Sequence, residues 1–191
     1  MAAFYQESDY ENALLELFEQ HLGYEYVCGY HIDHNVKSPL YDEVLEESIF
    51  RINKGKPYDA IKNALLTLKN FENGTLVQKN AVFTDYLQNG ISARYTENGE
   101  ERSTLIYLID WENIENNSFI CANQWTFVEN SNRRPDILLF INGLPLVLVE
   151  LKSPSREDTD ASEGYTQIRN YMHEIPSMFY YNQICVMSDQ L

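Results

Sequence analysis

Arg134-Pro135-Asp136-Ile137-Leu138-Leu139-Phe140-Ile141-Asn142-Gly143-Leu144-Pro145-Leu146-Val147-Leu148-Val149-Glu150-Leu151-Lys152 reads as two apolar strands folded about an Asn-Gly turn. Beyond Arg134, charge is confined to the open end of the pair: Asp136 where the first strand begins, Glu150 and Lys152 where the second stops. Side chains alternate along a strand, so Glu150 and Lys152 share one face and Leu151 takes the other. Cross-strand register decides whether Asp136 joins them. A strict two-residue loop sets Asp136 opposite Val149, on the wrong face. A three-residue loop over Asn142, Gly143 and Leu144 pairs Ile141 with Pro145 and Asp136 with Glu150. The longer loop is therefore the expectation.

Two carboxylates brought together repel and raise each other's pKa. A divalent cation relieves that repulsion, and oxygen-only ligands suit Mg²⁺, which takes one or two carboxylates and keeps several waters. Lys152 would then orient or deprotonate an attacking water, with the metal stabilising charge on a phosphate. A lone E-x-K is more simply a strand end whose charges reach solvent. The hairpin spacing with Pro135-Asp136 shifts the balance towards a site.

Pro135-Asp136 with Glu150-Leu151-Lys152 resembles the P-D…(D/E)-x-K nuclease core, and the string from Asn132 to Ser153 resembles a narrower group. That group is the amino-terminal nuclease domain of the R (restriction) subunit of type I restriction-modification enzymes. The likeness extends over residues 8 to 189, including Asn117-Ser-Phe-Ile-Cys-Ala-Asn-Gln124 and the run ending at Ser188-Asp189, where Gln190 replaces the family's Gly. Gln167 and Tyr171, at i and i+4 on a helix, resemble an extra motif that flanks the active centre in this group. The resemblance implies a Mg²⁺-dependent DNA endonuclease with Asp136, Glu150 and the Leu151 carbonyl as ligands. Lys152 would position the water, and Gln167 and Tyr171 would support the site. It also implies that specificity and methylation subunits supply recognition. ATP would serve only motor domains, whose motifs these residues do not contain, so the chain reads as a single-domain fragment, 1–191.

Composition agrees with a cytoplasmic globular domain. No apolar run approaches the roughly 20 residues of a membrane span, and the start lacks a signal pattern. Cys28, Cys121 and Cys185 are odd in number and far apart, which reads as buried thiols in a reducing compartment. The net charge of −15 is at odds with the basic footprint of a nucleic-acid binder. Either DNA is gripped mainly by other domains or subunits, or the chain is an acidic interaction or DNA-mimic module. Arg133 and Arg134 are the basic pair beside the proposed site, as phosphate contacts or plain loop charges.

Upstream, Ser8 and Glu11 read as a capping box for a helix with the apolar stripe Leu14, Leu15, Leu17, Phe18 and Leu22, ended by Gly23. Glu11 has a second reading, as an acid that this first helix presents to the metal, as the resemblance implies. His31, Asp33 and His34 lack zinc-protease spacing and read as surface residues. Helices follow over 39–53, 58–70 and 79–88. Gly55-Lys56 is not a phosphate loop, because the upstream Gly is absent and Pro57 replaces Ser or Thr. Strands are expected over 91–96, 104–109 and 118–128, with Asn123 and Gln124 bonding a phosphate or a loop. A polar loop after Lys152, a helix over 161–173 and a buried last strand complete the chain. The fold class is α/β: a restriction-endonuclease-like mixed sheet, mainly antiparallel, with flanking helices and an amino-terminal helical elaboration.

Overall fold

The computed structural model describes residues 7–152 and 161–188. In its first half come α1 (Glu7–Glu16), β1 (Glu25–Cys28), α2 (Asp42–Ile52), α3 (Tyr58–Lys69), α4 (Leu76–Asn89), β2 (Ile91–Glu97) and β3 (Glu100–Ile106). The second half holds β4 (Phe119–Asn123), β5 (Phe127–Val128), β6 (Asn132–Arg133), β7 (Ile137–Ile141), β8 (Leu144–Leu151), α5 (Ala161–Glu174), α6 (Met178–Tyr181) and β9 (Ile184–Ser188). The loop expected over 153–160 and the ending at 189–191 lie outside the described residues.

A five-stranded sheet runs in the order β1-β4-β7-β8-β9. Its inner pairings are antiparallel and both outer ones parallel, so the sheet is mixed but not mainly antiparallel. β7 and most of β8 are buried on both faces, which is why they read as unbroken apolar runs. On one face Ile120, Leu138, Phe140 and Leu148 pack against Ile168 and Tyr171 of α5, Ile175 just after it and Phe179 of α6. On the other, Ile137, Leu139, Val149 and Leu151 meet Leu15 of α1. Helices α2–α4 and the β2–β3 hairpin form a separate core that takes in Leu144 at the start of β8.

The central hairpin corrects the loop expectation. Ile141 pairs with Leu144 and Phe140 with Pro145, a two-residue loop with Asn142 at φ 51° and Gly143 at φ 77°. Asn-Gly suits the two left-handed positions of a type I′ turn. The ladder then slips: Leu139 pairs with Val147, and Leu146 bulges out. Pro145 has no N–H to lose there, and the Leu146 carbonyl accepts from Gln183 N at 2.9 Å and Asn182 Nδ2 at 3.2 Å. Below the bulge Ile137 faces Val149, so one further step sets Asp136 against Glu150. The acids meet by a short turn and a bulge.

Six other expectations change. β9, expected to be a buried strand, is an exposed edge of the sheet, with Ile184 and Met187 open to solvent. Of the thiols expected to be buried, Cys121 is, Cys28 is half-buried and Cys185 is exposed. Ser8 lies inside α1, and a π-helical turn over Leu17–His21 swings Leu17 and Leu22 into solvent, breaking the stripe. The strand expected over 118–128 stops at Asn123, because Gln124 takes φ 53° and flips Trp125 and Phe127 onto the α5 face. Helix α4 starts at Leu76, capped reciprocally by Thr75 and Gln78, earlier than its apolar spacing indicates. β3 ends at Ile106, although Leu108 and Ile109 beyond it are buried.

Candidate active site

The open end of the hairpin is held together by backbone and side chain at once. Leu151 N donates to Asp136 Oδ2 at 2.7 Å, which ties the residue before β7 to the end of β8. Lys152 N donates to Ser188 O at 2.9 Å, carrying the β8–β9 pairing one residue past the strand. Alternation then puts Glu150 and Lys152 on the α5 face, where Gln167 and Tyr171 stand one turn apart.

There a closed network forms. Lys152 Nζ donates to Gln167 Oε1 at 2.5 Å and to Glu150 Oε1 at 3.2 Å. Gln167 Nε2 donates to Glu150 Oε1 and, at 2.8 Å, to the Tyr171 hydroxyl. Glu150 is 1% exposed, and its second oxygen, Oε2, is buried with no hydrogen-bond partner among the described residues. Burial, then the charge of Asp136, pushes the Glu150 carboxyl up to about 7, although Lys152 pulls the other way. Burial, then the Glu150 charge, raises the Tyr171 phenol, so it stays protonated.

Asp136, Glu150, Lys152, Gln167 and Tyr171 are thus brought to one point. Glu11 is not part of a three-acid cluster, for the described residues contain no group of three His, Cys, Asp or Glu able to hold a metal. It also makes no capping box with Ser8. Its Oε1 instead accepts from Asn123 Nδ2 at 2.8 Å, and Tyr26 donates to Asn123 Oδ1 at 3.0 Å. Since Asn123 pairs with Ile137, this chain of bonds ends beside Asp136. Tyr26 lies in a short strand whose alternation carries no sign of this role.

Arg133 forms a two-pronged ion pair with Glu174 at the end of α5, and Arg134 bonds the Tyr30 hydroxyl. His31 is exposed as expected. His34 is half-buried, a correction to the surface reading: its ring stacks on Trp125 at 4.0 Å and its Nε2 lies 3.0 Å from Thr126 O. Stacking needs two flat faces, which the flip at Gln124 supplies.

This hairpin, its acids and its α5 partners sit in a chain of clear descent. It belongs to the family described as the type I restriction enzyme R protein N terminus, whose model matches residues 4–191. The type I restriction enzyme HindI endonuclease subunit of Haemophilus influenzae is 33% identical over 96% of the chain and 18% of its own length. The putative type I restriction enzyme MjaIXP endonuclease subunit of Methanocaldococcus jannaschii is 33% identical over 95% of the chain, again 18% of its own length. A Staphylococcus aureus type I endonuclease subunit is 28% identical over 98% of the chain. The chain therefore spans under a fifth of the length of these relatives. No helix among its described residues is long and apolar enough to cross a membrane.

Proposed function

We propose that the chain is the Mg²⁺-dependent nuclease domain of a type I restriction enzyme R subunit, hydrolysing DNA phosphodiesters at the mouth of the β7–β8 hairpin. One observation carries this reading: Glu150 is buried beside Asp136 with one oxygen, Oε2, that has no hydrogen-bond partner among the described residues. A buried, unpaired carboxylate oxygen is costly unless a cation meets it. Asp136, Glu150 and the Leu151 carbonyl offer a hard, oxygen-only set, and the absence of a third clustered acid among the described residues suits a cation that keeps several waters. When bound, Mg²⁺ neutralises the paired acids and polarises the scissile phosphate.

The chain's own groups do the rest. Lys152, 18% exposed, holds its ammonium at the rim, where it orients the attacking water and meets charge developing on the phosphate. Gln167 fixes both Lys152 and Glu150, and Tyr171 in turn fixes Gln167. The net charge of −15 keeps intrinsic DNA affinity low, which suits cleavage of unmodified foreign DNA only when ATP-driven motor domains deliver duplex. Specificity and methylation subunits supply recognition.

A DNA mimic needs rows of surface carboxylates, whereas a nuclease needs a cleft with basic residues at its rim. A groove lined by Arg133, Arg134 and Tyr171 next to the site favours the nuclease. Plasmid nicking tests this directly: Mg²⁺-dependent cleavage is expected, with loss in Asp136→Ala. Cleavage undiminished in that variant overturns the assignment.

A further inference from the structure

Next to the acid–lysine network lies a groove of about 430 Å³ lined by Tyr30, Thr126, Asn132, Arg133, Arg134 and Tyr171. Tyr171 is its inner wall, and the hydroxyl of Tyr171 accepts from the Gln167 that holds Glu150 and Lys152. The groove therefore opens onto the proposed chemistry. At its outer wall Tyr30 is 65% exposed, and the Arg134 guanidinium lies 5.4 Å from the ring centroid. Such a pair holds an arginine extended while leaving donors for a ligand.

Arg133 is differently placed. The β5–β6 hairpin delivers it to the end of α5, where Asn130 N donates to Glu174 O at 3.0 Å and Asn130 Nδ2 to His173 O at 3.1 Å. Both prongs of its fork are taken by the carboxylate of Glu174, whose side chain is 27% exposed. That pairing lowers the Glu174 carboxyl and raises the Arg133 guanidinium. A guanidinium fork fits a carboxylate and a phosphate in the same planar way.

We infer that Tyr30, Arg133 and Arg134 form a seat for the backbone phosphates of duplex DNA beside the scissile bond, and that Glu174 occupies the Arg133 fork until a phosphate displaces it. Exchange of one anion for another is close to neutral, so the chain gains little affinity from Arg133 while Glu174 is present. Arg134, paired with a neutral phenol, supplies the net attraction. This inference rests on the nuclease reading for the identity of the ligand, and its test uses binding without cleavage so that the two can fail separately.

The measurement is anisotropy of a labelled non-specific duplex in EDTA, across a salt series, with the 191-residue chain. Glu174→Gln is expected to bind about tenfold more tightly, with a log-affinity slope against log salt steeper by about 0.9, one extra phosphate contact. Adding Arg133→Ala to Glu174→Gln returns both quantities to those of the parent. Arg134→Ala weakens binding and flattens the slope by about 0.9, and Tyr30→Ala weakens it with the slope kept. Arg134 and Tyr30 are exposed, so those variants fold even where Glu174→Gln melts early. An unchanged slope in Glu174→Gln, a gain that survives Arg133→Ala, or an indifferent Arg134→Ala overturns the seat. Nicking that persists in any of these cases leaves the nuclease standing, and loss of nicking with the binding pattern intact does the reverse.

Discussion

Glu150→Gln isolates the cost of holding a charge at the centre of the site. The native carboxyl is 1% exposed and titrates near 7 instead of 4.5, chiefly through burial. A folded-state pKa raised above the unfolded one means that the native state binds more protons between those values. The stabilisation from this group is complete below the unfolded pKa and disappears as pH rises through the folded one. The shift corresponds to about 3 kcal/mol lost by the metal-free wild type between about pH 4 and about pH 8. Glutamine keeps the shape and an acceptor for Lys152 but cannot ionise. Its amide buries an unpartnered donor at a cost of about 1–2 kcal/mol, and that offset does not change with pH. The difference between wild type and variant should therefore shift in favour of Glu150→Gln by about 3 kcal/mol across the range, roughly 6–12 °C in melting temperature for a chain of this size. Urea and thermal melts in EDTA at several pH values measure it, and titrating groups distant from Glu150 cancel in the difference. Added Mg²⁺ should stabilise the wild type above pH 7 and leave the variant unmoved. A difference that stays constant with pH refutes the premise that Glu150 is a buried carboxylate awaiting a cation.

Two further outcomes follow from the same geometry. A Cβ at Gly143 would lie 2.6 Å from Leu45 N and Tyr41 O at φ +77°, so Gly143→Ala should cost about 3 kcal/mol or more. Gly99→Ala, at φ +81° with nothing within 4 Å, should cost only about 1 kcal/mol, and chemical denaturation compares the pair. Tyr171→Phe removes the hydroxyl that braces Gln167 and interacts with Glu150, so single-turnover nicking should slow about tenfold with duplex affinity unchanged. Equal loss of binding and rate would show that Tyr171 grips DNA instead of bracing Gln167.

The amino-acid order alone was enough to locate the hairpin, its face and its three charged ends. Strand alternation is local, so it sets Glu150 and Lys152 on one face, whereas the face of Asp136 was decided by the bulge. Helical spacing set Gln167 and Tyr171 on one face, but only the resemblance to the family's extra motif marked that face as part of a site. Local periodicity ran out wherever the outcome depended on residues distant in the chain. The bulge at Leu146 follows from a carbonyl claimed by Asn182 and Gln183, and the break at Gln124 from the core that takes Trp125. Asn123 holds Glu11, Glu174 holds Arg133 and Tyr30 holds Arg134 across separations of 112, 41 and 104 residues. Such polar pairs are chosen by desolvation and packing once the sheet has formed, so only the tertiary structure decides which charges meet.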